Sequence, residues 1–240
     1  MKTTLFKSLC ATALLSFAAS SAHAIAVSVP NLITNGSFES GLSSWTQGGT
    51  PTTTSSTTYP VVAITYGSAT AYPTGAYGEA IPVPNDSSLS PDPAGTRGAY
   101  FVDDHAVNQS LSQLVLLAAG SYRIGFDAYA PMNGYTNPND ASFVAQIAGV
   151  TLANYLVSTQ PSATWLSFSG LVTVLSTGYY STSFVFNTPG QGAAKDVVID
   201  RVYVVASTEV GGRVIPEPGT LSLFGLALVG LAAVRKRKQA

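Results

Sequence analysis

The chain has 240 residues and a formal net charge of −1, and only 10% of its residues are charged. Residues 25–215 hold five basic and eleven acidic side chains, a net −6, so the near-neutral total hides an acidic middle between basic ends. Such a middle, without a basic stripe, speaks against nucleic-acid binding, and the single cysteine, Cys10, leaves everything after it without a disulfide, a thiolate metal site or a cysteine nucleophile.

Residues 1–24 read as a secretory signal peptide. Lys2 and Lys7 form its basic start, Leu9 to Ala19 its short apolar run, and Ala22-His23-Ala24 its small-residue cleavage site. The expected partner is signal peptidase, and the mature chain begins at Ile25. Cys10 precedes most of the apolar run instead of following it, which argues against a lipid-acceptor cysteine.

Residues 25–212 form one domain by length, large enough to bury a core. Helical periodicity is absent there. Short alternating runs bounded by Gly, Pro, Asn or Ser predict strands over 61–66, 99–102, 107–117, 121–130, 142–148, 151–157, 165–175, 179–187 and 196–206. This is an all-β pattern and predicts a β-sandwich of jelly-roll type. Tyr122, Ile124, Phe126 and Ala128 share one face of their strand; Arg123, Asp127 and Tyr129 share the other. Phe184 and Phe186 point the same way. Residues 118–121 and 176–178 read as hairpin turns. The Thr/Ser-rich stretch 50–58 and the Pro/Gly-rich stretch 72–98 read as long loops, each either a rim around a binding face or a surface insertion.

Catalytic signatures are missing. No Gly-x-Ser-x-Gly elbow, phosphate loop or His-Glu-x-x-His occurs. Asp103-Asp104-His105 reads as a solvated turn, because neighbours on a strand point to opposite faces. Glu79 and Asp127 are the conceivable acid pair, with nothing to position them. The domain therefore reads as non-enzymatic. Sugar binding suits its residues better, since aromatic rings stack on sugar faces and planar polar groups meet hydroxyls. Arg123, Asp127 and Tyr129 are the ligand-binding candidates on the non-core face, with Asn133 and Tyr135 in the next loop. Trp45 and Trp165 read as core. The competing reading is a structural or adhesive matrix protein without a defined ligand, with the Thr-rich stretch as a glycosylated spacer. Asp200 is read as inward-pointing, on one face with Val198, Val202 and Val204, and so in need of a partner.

Several segments together resemble the galactose-binding-like jelly rolls of carbohydrate-binding modules. They are Asn31-Leu-Ile-Thr-Asn35-Gly36-Ser37-Phe38-Glu39 followed by Trp45, then 108–113 leading to 119–122 and Phe126, then Trp165, and finally 197–202. The resemblance implies a structural calcium ion held by Glu39 and Asp200, whose oxygen-only chemistry suits Ca2+. This chain has Arg201 where many such modules carry a second Asp.

Residues 213–240 form the last segment. Pro216-Glu217-Pro218 stops any preceding strand. An apolar stretch over about 219–234 follows, and Arg235-Lys236-Arg237-Lys238 ends it. As a transmembrane helix that stretch spans about 24 Å, a little under a ~30 Å hydrocarbon core, and the basic side chains can snorkel. The cations hold the tail on the cytoplasmic side and leave the domain outside. The segment resembles the PEP-CTERM sorting signal. The resemblance implies cutting near Pro216-Glu217-Pro218 by an exosortase of a Gram-negative, exopolysaccharide-making bacterium. A transient inner-membrane anchor and delivery to the cell surface or extracellular matrix would follow.

Overall fold

A computed structural model describes residues 29–51, 59–72, 75–85, 88–190 and 192–207. The signal peptide, the Pro-Glu-Pro tail with its apolar stretch and basic end, and most of the Thr/Ser-rich stretch lie outside them. Among the described residues no helix is long and apolar enough to cross a membrane.

Ten strands are described: β1 Thr46–Pro51, β2 Val62–Thr65, β3 Arg97–Phe101, β4 Ala106–Leu117, β5 Gly120–Tyr129, β6 Ser142–Ile147, β7 Val150–Leu156, β8 Trp165–Val174, β9 Gly178–Asn187 and β10 Val197–Ala206. One helical turn, α1, covers Met132–Tyr135. The strands form two five-stranded antiparallel sheets, β1-β4-β9-β6-β7 and β2-β3-β10-β5-β8. The all-β sandwich expected from the alternation is thus the fold. Nine strands fall where the sequence places them. The tenth, β1, lies at a sheet edge in Thr46–Pro51, where Gly48, Gly49 and Pro51 mask any strand signal and a bulge breaks its pairing with β4.

The core between the sheets follows the period-2 pattern. Leu111 and Leu117 from β4, Ile124 and Phe126 from β5, Phe143 from β6 and Phe184 and Phe186 from β9 are all fully buried. Phe126 stacks on Phe168 at 5.0 Å and meets Phe184 edge-on at 5.2 Å. Trp45 joins this core.

Two connections expected to be hairpins are not. β4 belongs to one sheet and β5 to the other, so 118–119 is a crossing between sheets; 175–177 carries β8 across to β9 in the same way. The two corners lie side by side, with the Ala119 N–H donating to Thr177 Oγ1. Turn composition reports that a chain reverses, and not which sheet receives it. A true hairpin joins β6 to β7 through Ala148 and Gly149, both at positive φ, the combination that fits a two-residue loop.

β10 decides the geometry of the second sheet. Its pairing with β5 slips by one residue between Asp200 and Tyr203, and Arg201 takes φ +52° in that bulge. Val197, Ile199, Val202 and Val204 therefore face the main core. Val198 belongs to a separate apolar cluster on the outer face. The expectation that Asp200 shares a face with Val202 and Val204 fails for this reason: the bulged residue inverts the alternation beyond it.

The outer face of that sheet is not open. Ile64, Tyr66, Ala76, Ile81, Tyr100, Tyr129 and Val198 form the second cluster, roofed by the Pro/Gly-rich segment after β2. The roof is pinned by Trp165 Nε1–H to the Pro82 carbonyl (2.8 Å), by Arg201 Nη1 to the Asn85 carbonyl (2.8 Å) and by Glu79. Trp165, read as core, packs only partly buried against this cluster. The segment read as rim or insertion is thus a cover with its own apolar underside.

Candidate functional site

The opening motif is structural in its polar residues. Asn31 Nδ2 donates to the Val202 carbonyl and to Asp92, while its Oδ1 accepts from the N–H groups of Ile33 and Val204. Asn35, at φ +54°, ties the carbonyls of Gly41 and Ser43. Gly36 is required because a Cβ there would stand 2.1 Å from the Val202 carbonyl oxygen. The motif thus fastens the chain start to β10.

Glu39 and Asp200, the two implied calcium ligands, have their hydrogen bonds met by protein donors. Glu39 Oε1 accepts from the N–H groups of Thr96 (2.7 Å) and Arg97 (2.9 Å), and Oε2 from the Thr96 hydroxyl (2.8 Å). Asp200 is fully buried; Oδ2 accepts from the Tyr66 hydroxyl (2.7 Å) and Oδ1 from the Arg201 N–H (2.6 Å). Among the described residues no three His, Cys, Asp or Glu side chains gather as a metal site. A cation at these two carboxylates would have to displace those donors. Adding calcium to the purified protein is therefore expected to leave its melting temperature unchanged; a rise of several degrees would assign the ion to these two carboxylates.

The five ligand-binding candidates do not converge. Asp127 and Tyr129 lie on the predicted outer face of β5 but are only 1% and 4% exposed, because the cover lies over them. Asp127 accepts from the Ser167 hydroxyl (2.6 Å) and faces Arg201, with Nε 3.8 Å from Oδ2. Burial raises its carboxyl above the usual range, and Ser167 and Arg201 oppose that shift. The Tyr129 hydroxyl donates to Glu79 Oε1 (3.0 Å), and the Asn133 N–H donates to Glu79 Oε2 (2.8 Å). Tyr135 donates to the Ser158 carbonyl, and the Lys195 ammonium lies 4.7 Å from its ring centre. Arg123 alone stays exposed on the sheet, beyond the cover. Asp103 and Asp104 cap the backbone N–H groups of His105 and Ala194 in a turn. Glu79 and Asp127 are engaged with separate partners.

A different set of residues meets solvent together. Tyr59, Tyr72 and Tyr77 run as a row of rings, 4.8 Å from the first to the second and 5.1 Å from the second to the third. Tyr77 is 47% exposed. Tyr72, Tyr77 and Gly78 line a shallow pocket of about 320 Å³ on the cover. The backbone beneath Tyr77 is held in place: its φ is +54°, and Asn133 Nδ2 donates to its carbonyl (2.9 Å). Through Glu79, Tyr129 and Asn133 fix the segment that carries Tyr77. Two of the predicted ligand residues, Tyr129 and Asn133, therefore hold in place a segment whose rings lie in an expected loop. Two tyrosines at the start of the Pro/Gly-rich stretch, with Tyr59 before β2, were the available signal.

No curated protein matches the sequence. Among solved structures, TmCBM61 in complex with beta-1,4-galactotriose is similar at 20% identity and a TM-score of 0.46, over 74% of this chain and 99% of that one. The enzymatically active domain of the bacteriophage CBA120 tailspike protein 4 is similar at 17% and 0.42, over 74% of this chain and 21% of that one. A family 16 carbohydrate-binding module is similar at 15% and 0.41, over 73% and 99%. These likenesses are distant, and the sandwich stands on its own strand order and register. The model of the PEP-CTERM protein-sorting motif matches residues 214–238, so the chain carries the sorting signal of an exported protein that is transiently anchored in the membrane and processed by an exosortase.

Proposed function

We propose that this is a non-catalytic protein of the cell surface or extracellular matrix that holds carbohydrate, the host's exopolysaccharide included, at the tyrosine pocket of the cover. The observation that carries the reading is the half-exposed Tyr77 ring beside Tyr72 in an open, shallow pocket. A sugar ring offers C–H groups on one face, and tyrosine offers a flat apolar surface with a hydroxyl at its edge. The positioning of Tyr77 by Asn133 and Glu79 lowers the ordering cost of such a contact.

The test is binding of the secreted protein to the host exopolysaccharide and to a panel of neutral glycans. Tyr77→Ala is expected to weaken retention about tenfold, or about 1.4 kcal/mol, with the melting temperature unchanged. If no glycan is retained above background, the protein is a matrix component without a sugar ligand. Sorting is tested separately by mass spectrometry of the released protein. Its C-terminus is expected near Glu217 in cells with exosortase, and release is expected to stop without the enzyme; an intact basic tail on the secreted form would refute processing.

A further inference from the structure

Beyond the β10 bulge, the outer face of the second sheet meets the edge of the cover, at Leu89, and opens into a groove of about 370 Å³. That volume is within the usual range for a small-molecule site. Arg123 from β5, Tyr203 from β10, Leu171 from β8 and Leu89 line it, with Ser169 and Ser207 beside them. The two leucines are 71% and 56% exposed.

Two features single this groove out. Tyr203 is 1% exposed, yet its hydroxyl has no hydrogen-bond partner. A buried unmet hydroxyl costs about 1–3 kcal/mol, and burial holds this phenol above its ordinary range, so it stays a neutral donor at physiological pH. Its ring lies across Gly125, where a Cβ would stand 2.6 Å from ring carbons. Absence of a side chain at 125 is thus what seats the phenol in the floor. The second feature is Arg123, a cation in a domain of net −6. The nearest acid along its own strand face, Asp127, is already turned to Arg201, and the Arg123 guanidinium meets no acceptor among the described residues.

We infer that this groove binds a carboxylate-bearing sugar residue of an acidic polysaccharide, with Arg123 on the carboxylate and the Tyr203 hydroxyl on an oxygen that reaches the floor. A guanidinium presents a planar fork that matches a carboxylate. Leu171 and Leu89 cover the apolar edge of the sugar. The inference rests on the carbohydrate reading above for its ligand class, but on none of the same residues.

The probe is an α-1,4-linked trigalacturonate, titrated calorimetrically into the full-length protein beside its methyl ester and beside acetate. Wild type is expected to bind the acid at least tenfold more tightly than the ester, and acetate is not expected to compete. Arg123→Gln is expected to remove most of that preference with unchanged melting temperature, and Tyr203→Phe to weaken binding severalfold while raising the melting temperature, because it removes the unmet buried hydroxyl. Tyr77→Ala is expected to leave trigalacturonate binding intact. No binding of the acid, equal binding of the ester, competition by acetate, or unchanged affinity in either groove variant would overturn the proposal. Neutral glycans lost only in Tyr77→Ala report on the tyrosine pocket alone, so the two readings fail independently.

Discussion

Replacing Arg201 by Ala is expected to destabilise the domain by about 3–5 kcal/mol, read as a lower urea midpoint. Arg201 is the extra residue of the β10 bulge and is 3% exposed. Its guanidinium faces Asp127 and ties the cover through the Asn85 carbonyl. Removing it leaves a carboxylate that is 1% exposed with Ser167 as its hydrogen-bonding partner. Stranding one member of a buried ion pair costs about 3–5 kcal/mol, much more than the pair itself is worth. Arg201→Ala combined with Asp127→Asn is therefore expected to recover part of the loss. An unchanged midpoint in the single variant would mean that water reaches Asp127 and that the cover does not seal it.

Stability should also fall as pH rises from 5 to 9. Asp196, just before β10, and Asp200 within it are both buried, and burial pushes each up to about 8. The hydroxyls of Tyr100 and Tyr66 oppose the shift, while Asp104 near the first acid and Asp127 near the second add to it; Arg201 lowers the second. Unfolded, both acids titrate near 4. Between those values the native state binds protons that the unfolded chain has lost. The stabilisation is therefore complete below about pH 4 and disappears as pH passes about 8. Each acid contributes a slope of up to about 1.4 kcal/mol per pH unit, or about 3–5 °C per unit for a domain of this size. Asp200→Asn keeps the shape, removes one titration and should halve the slope in melting temperature against pH. A flat profile in the wild type would show both acids to be ionised in the native state.

Local pattern was enough for most of the sandwich. Alternating residues such as Tyr122 to Ala128 and Phe184 to Phe186 declare their core face, because a strand has only two faces and one of them must leave water. Edge strand β1 stayed hidden because its glycines and proline carry no burial signal. The corner at 118–119 resembles a hairpin turn, and only long-range pairing sends β5 to the other sheet. Glu39 and Asp200 are legible as oxygen ligands by residue type alone, whereas the donors on their oxygens include groups 57 and 134 residues away.

The candidate sites show the same division. Arg123, Asp127 and Tyr129 were correctly placed on one strand face. Their fates diverged because a cover from a distant part of the chain buries the last two and stops short of the first. Tyr77 became prominent, and Tyr129 and Asn133 became its supports, through contacts across some fifty residues. The ends of the chain needed no fold to be read. A basic start with a small-residue cut site, and Pro-Glu-Pro before an apolar stretch and four cations, act as linear signals that enzymes and the membrane recognise as extended or helical segments. What lies between is decided by which surfaces leave water together, and one inserted residue in β10 was enough to turn Asp200 away from the core and set Tyr203 in the floor of a groove.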